Sequence, residues 1–145
     1  LSYNVYYSFS SSANYGKGMQ IDGAGFGMVN SDNSKPYYPY YVNFLLGRNL
    51  GVGDSLIETG SSSEDIRVVA WVHGELVNML LISISDRTQA IYIHGMSGEV
   101  SVIRIDGTIC WQNASLQIGR YNITEPLVVN GYTVALLQMP VAAAK

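Results

Sequence analysis

Hydrolytic chemistry on a polysaccharide needs two carboxyl groups about 5–9 Å apart, one of them with its pKa raised by its surroundings. The chain offers Glu58, Glu64, Asp65, Asp86 and Glu99 as loose acids, most of them beside Ser, Gly or Arg in apparent turns. Acids so placed read as solvated turn residues, and no catalytic residue is assigned. His73 and His94 each close an expected strand next to a glycine, without a Cys-x-x-Cys or His-x-His companion. A zinc site takes three or four protein ligands, so no metal site is expected. Cys110 sits beside Trp111 with no base in its sequence context. It reads as a small buried apolar residue, and a single cysteine excludes an intramolecular disulfide. Gly23-Ala24-Gly25-Phe26-Gly27 lacks the Gly-Lys-Ser/Thr ending of a phosphate loop, and no cofactor is implied.

Eleven tyrosines and two tryptophans are the sharpest positive feature. Sugars present apolar C–H faces with polar edges, so flat amphipathic rings suit them. Trp71, Tyr37, Tyr38, Tyr40 and Trp111 are therefore the candidate carbohydrate-binding residues, with Tyr41 in the same cluster and Tyr3, Tyr6 and Tyr7 in another. The competing reading is that the clustered tyrosines pack onto a sandwich or a catalytic domain, and for Tyr37 to Tyr41 it is the stronger one. Trp71 shares its side of an expected strand with Arg67 and His73, which would suit an exposed platform. Asn113-Ala114-Ser115 and Asn122-Ile123-Thr124 are N-glycosylation sequons, so Asn113 and Asn122 are candidate acceptors.

These side chains hang on elements that the periodicity distinguishes. Residues 3–9 are aromatic and β-branched and read as a strand. Pro39 suits a first helical turn, and Tyr41, Phe44, Leu45 and Arg48 follow at helical spacing, so one short helix is expected near residues 39–47, stopped by Gly47 or Gly51. From Ser55 the period changes to two: Ile66, Val68, Ala70 and Val72 alternate with Arg67, Val69, Trp71 and His73. Gly74-Glu75 turns the chain into an apolar central strand over 76–84. Asp106-Gly107 and Asn130-Gly131 each signal a two-residue hairpin. The pattern predicts an all-β chain, an antiparallel β-sandwich with one helix.

The order of parts resembles a known junction. Lys35-Pro36-Tyr37 leads into the aromatic helix, then Leu45-Leu46-x-Arg48-x-Leu50 and Gly53-Asp54, then an all-β tail. The run from Ile66 to Ile84 resembles an accessory-domain hairpin, although the Asn expected near its end is replaced by Ser83 or Ser85. Gly131 to Leu137 looks like its closing strand. This set resembles the passage from a (β/α) barrel into the following β-sandwich in retaining glycoside hydrolases of the family 39-like, clan A type. The resemblance implies that residues 1–50 are the end of a barrel and 51–140 a sandwich core, within a single domain of residues 1–145. It also implies that the catalytic carboxylates lie upstream of this chain.

Composition is consistent with that reading. At 145 residues the chain is long enough for one core. Hydrophobic residues make up 48% and charged ones only 13%, which excludes a disordered class. A net charge of −3 with eight scattered basic residues speaks against nucleic acid. No apolar run reaches the roughly 18 residues of a membrane span. The start at Leu1 without Met suggests a processed or excised fragment, and the final Val141-Ala142-Ala143-Ala144-Lys145 reads as a frayed end. The expected function is a non-catalytic accessory module of a secreted, cellulase- or xylosidase-like glycoside hydrolase, stabilising the barrel and binding polysaccharide, located outside the cell or at its surface. The alternative is an extracellular structural protein, such as a pilus or filament subunit or a cell-surface β-module.

Overall fold

A computed structural model describes residues 8–11, 27–106 and 116–141. Ten strands and one helix follow in chain order. They are β1 (Ser8–Ser11), β2 (Gly27–Asn30), α1 (Tyr38–Asn49), β3 (Ser55–Ile57), β4 (Ile66–His73), β5 (Leu76–Ser83), β6 (Gln89–Ile91), β7 (Glu99–Ile105), β8 (Gln117–Asn122), β9 (Leu127–Val129) and β10 (Val134–Pro140). Six strands form one antiparallel sheet in the order β3-β4-β5-β10-β7-β8, and β6 pairs with β9 in a second, antiparallel two-stranded layer. The fold is all-β and sandwich-like with one helix, as the alternating pattern predicts.

The β4–β5 hairpin pairs eight residues of each strand. His73 pairs with Leu76 across the two-residue loop Gly74-Glu75. Gly74 has φ +58°, a left-handed value that L side chains avoid and that a tight hairpin needs at its first loop position. Register then sends Ile66, Val68 and Val72 to one face and Trp71 to the other. Each face of the sheet has its own core. Ile66, Leu81, Val100, Val102, Leu137 and Met139 pack with Leu127 and Val129 beneath the β6–β9 layer. On the opposite face Trp71, Leu80, Ile105, Val134 and Leu136 pack beneath Leu45 of α1. Each fully buried side chain of this kind contributes roughly 1.5–3 kcal/mol.

Helix α1 runs from Tyr38 to Asn49, longer than expected. Proline occupies its first turn, where the missing N–H costs no hydrogen bond. Gly47 lies inside the helix, so the stop comes later: Leu50 leaves helical geometry while its N–H still bonds Leu46 O at 2.9 Å.

Two hairpin expectations fail. Asn130-Gly131 joins β9 to β10, which lie in different layers, so it carries the chain between sheets. Gly131 is needed for a close approach, since a Cβ there would stand 2.4 Å from the Asp86 carbonyl oxygen. Nor does the Asp106-Gly107 signal join β7 directly to its partner strand β8. Arg104 pairs with Gln117, so the β7–β8 connection is much longer, and residues 107–115 lie outside the described part. The N-terminal strands also differ from the rest. β1 and β2 pair in parallel, with Ser8 opposite Gly27 and Ser10 opposite Val29. Parallel strands require a crossover, as in βα units. Residues 3–7 of the expected first strand lie outside the described residues.

Candidate functional site

The aromatic residues divide by what covers them. Trp71 is 1% exposed and Tyr37 0%, so neither ring can lie against a sugar. Trp71 points to the side of the sheet that the pattern predicts, but α1 covers that side, and its indole N–H donates to Asn49 O. Tyr37 is held at the helix start, its N–H on Met28 O at 2.7 Å. Burial, then the charge of Asp32, pushes its phenol pKa up. Tyr38 is half-buried and its hydroxyl donates to Tyr132 O at 2.6 Å and Ile105 O at 3.3 Å. Burial drives its pKa up to about 12, so it is a neutral donor at every ordinary pH. These tyrosines pack onto the sandwich. Trp111, Cys110 and Asn113 lie outside the described residues.

Tyr40 is the partly exposed member. Its ring stacks on Phe44 with centroids 6.2 Å apart and an interplanar angle of 16°, and it meets Tyr41 edge-on at 5.5 Å. The Arg48 guanidinium lies 5.3 Å from the Phe44 centroid. Positions 40, 44 and 48 share one helical stripe, and it lies away from the sheet. The stripe is an aromatic and cationic ridge with Phe44 37% exposed.

A polar chain locks the inner side of the helix. Gln138 Nε2 donates to Asn49 Oδ1 at 3.0 Å and to Asn78 Oδ1 at 2.8 Å. Asn49 Nδ2 returns to Leu45 O at 2.7 Å. Neither pattern nor spacing announces this network, because its members come from three elements.

Glu58, Glu64, Asp65, Asp86 and Glu99 are all exposed. Glu99 pairs with Arg120 at 2.8 Å, and Asp65 accepts from Gln89 at 3.4 Å. Two acids that sequence reading passed over are more constrained. Asp106 is 1% exposed and accepts from Asn130 Nδ2 at 3.0 Å. Asp54 accepts from the Gly51 N–H at 2.7 Å and lies 2.8 Å from His73 Nδ1. The Gly51 amide and then His73 hold the Asp54 carboxyl below the usual range, against some opposing desolvation. His94 is exposed. Among the described residues no cluster of three His, Cys, Asp or Glu could hold a metal ion. No described helix is long and apolar enough to cross a membrane.

A cleft of about 980 Å³ opens on the other side of the sheet. Its floor is Ile66, Val68, Met79 and Leu81, one wall is β6 with the following residues to His94, and its rim is the 58–63 loop. Tyr92, 68% exposed, belongs to that wall. Among the described residues, the layer of two three-residue strands β6 and β9 leaves part of the six-stranded sheet unroofed. The cleft's volume falls in the range of small-ligand sites.

No protein-family model matches the chain, and no curated protein matches its sequence. Solved structures share its fold. A GH30 endoxylanase from Clostridium papyrosolvens C71 matches with TM-score 0.62 and 11% identity, over 94% of this chain and 40% of that one. The glycoside hydrolase family 30 subfamily 8 xylanase Xyn30A from Clostridium acetobutylicum matches with TM-score 0.58 and 18% identity, over 83% of this chain and 32% of that one. The chain thus spans well under half the length of the enzymes it is similar to. The likeness is one of fold and falls on family 30 chains, in place of the family 39 type that the motif order resembles.

Proposed function

We propose that this chain is a non-catalytic β-sandwich module of a secreted glycoside hydrolase, carrying the end of its barrel in residues 1–50 and working outside the cell. One observation carries the reading. A parallel strand pair and a helix are joined to an antiparallel sandwich, and that combination matches part of a GH30 endoxylanase over 94% of this chain. Parallel strands occur in sheets covered on both faces, so β1 and β2 call for parallel neighbours that a catalytic barrel would supply. The ridge of Tyr40, Phe44 and Arg48 gives that domain an apolar and cationic surface to cover. The module then stabilises the barrel by removing this surface from water.

Polysaccharide binding, with xylan the first candidate, falls on the mouth of the cleft, where Tyr92 offers a ring beside the polar rim. The test is titration of the folded chain with xylan, β-glucans and mannan, together with a reducing-sugar assay. Saturable binding weakened by Tyr92→Ala supports the reading. No binding to any of them leaves a packing module alone. Hydrolysis by the chain alone, abolished by changing a particular pair of carboxylates, overturns it.

A further inference from the structure

We infer that Asn122 is an acceptor for an N-linked glycan, taking a reducing-end sugar from a lipid-pyrophosphate oligosaccharide donor. The inference rests on the extracellular setting proposed above. Of the asparagines on the sheet, Asn78 is 1% exposed and hydrogen-bonded within the core, whereas Asn122 is exposed at the last position of β8. Among the described residues β8 pairs only with β7 and forms the edge of the six-stranded sheet. A bulky group attached there meets no neighbouring strand among the described residues.

The local geometry fits the chemistry. Asn122 Oδ1 accepts from Thr124 Oγ1 at 2.9 Å and from the Thr124 N–H at 3.2 Å. Both bonds go to the amide oxygen, and Nδ2 has no hydrogen-bond partner among the described residues. The nitrogen that must react is therefore the free end of the side chain, and the hydroxyl that a sequon requires is already against the amide. In the transfer, Nδ2 attacks the anomeric carbon and the bond from that carbon to the pyrophosphate oxygen breaks. The bonding pair leaves with the lipid pyrophosphate, and Nδ2 gives up one proton to a base. The intervening Ile123 is 7% exposed and belongs to the sandwich core, so it anchors the turn while its neighbours stay outside.

The glycan would emerge on the α1 side of the sheet. Asn122 follows Arg120 by two residues, and Arg120 shares a register row with Ser101, Gln138, Asn78 and Trp71. It would keep the β8 flank facing solvent whatever covers the outer side of α1.

The experiment is to direct the full chain into the secretory pathway of cultured animal cells and map its peptides by mass. The expected result is a glycan on Asn122 that peptide-N-glycanase removes with conversion to Asp. Thr124→Ala should abolish it, and Thr124→Ser should restore most of it without altering the far-ultraviolet circular dichroism. A secreted, folded chain with unmodified Asn122 overturns the inference, as does a glycan that persists on Asn122 in Thr124→Ala. Xylan binding and hydrolysis do not enter this readout, so it can fail or succeed independently of the module reading.

Discussion

The two faces of the six-stranded sheet are covered in different ways. On one face α1 packs over Trp71, Leu80 and Leu136 and is tied down by directed bonds from Trp71, Gln138 and Tyr38. On the other face the β6–β9 layer packs over Leu81, Val102 and Leu137, and the cleft remains beside it. Apolar burial is non-directional, so it holds a layer down without choosing its position. Hydrogen bonds in a buried interface fix position because a misplaced partner leaves polar groups unpaired. The helix side is thus built to hold one arrangement, and the sandwich side leaves room for a ligand.

The largest effect should come from breaking the helix side at its centre. Trp71→Ala removes the largest fully buried ring and the donor to Asn49 O. A cost of about 3–5 kcal/mol in denaturant unfolding is expected. Met79→Ala in the cleft floor removes a side chain that is only partly buried, and it should cost about 1 kcal/mol. Equal losses at the two positions would erase the contrast between the faces.

Gln138→Ala should come next. It leaves the side-chain oxygens of Asn49 and Asn78 without their donor, at a cost of about 1–3 kcal/mol. Removing only the hydroxyl in Tyr38→Phe should cost about 1 kcal/mol, because Tyr132 O and Ile105 O lose one donor between them. If both variants unfold at the wild-type denaturant midpoint, the polar bonds do not set the helix.

The sandwich side offers a change of opposite sign. Ser83 is 3% exposed, and its hydroxyl oxygen is buried without a hydrogen-bond partner among the described residues. It stands opposite Ile66, which belongs to the core on that face. Ser83→Ala removes an unmet polar group and should raise stability by about 1 kcal/mol. A loss of that size would mean that the hydroxyl has a partner in solution.

The sequence made some of this contrast legible. Alternation over 66–73 put Trp71 and Ile66 on opposite faces, and Gly74-Glu75 located the hairpin, because period and turn chemistry are local. What covers each face is not local. Trp71 shares its side with Arg67 and His73, so it read as exposed, and only the docking of a helix from 22 residues earlier buries it. Asn130-Gly131 carries a hairpin signature, yet Gly131 serves a close approach to Asp86 in a distant segment. The Asp54–His73 pair joins residues 19 apart through the return of β4 alongside β3, and no motif spacing announces it.

That pair gives the smallest and most pH-dependent prediction. The Asp54 carboxyl lies below its ordinary pKa, chiefly through the Gly51 amide and then through His73. A carboxyl with a depressed folded pKa contributes stability above its unfolded value of about 3.9 and loses it as pH falls through the folded value. Asp54→Asn keeps the shape and removes the titration. The unfolding midpoints of wild type and variant should therefore differ near pH 6 and converge on acidification below about pH 4. Asp54 lies in the loop that leads from α1 into β3, and His73 at the end of β4 stands beside it, so the loss should appear first in exchange of the amides around Gly51. A constant gap between the two proteins down to the lowest pH would mean that Asp54 acts through its shape alone. The loop would then be held by the backbone, and the clasp would add nothing to the position of the helix.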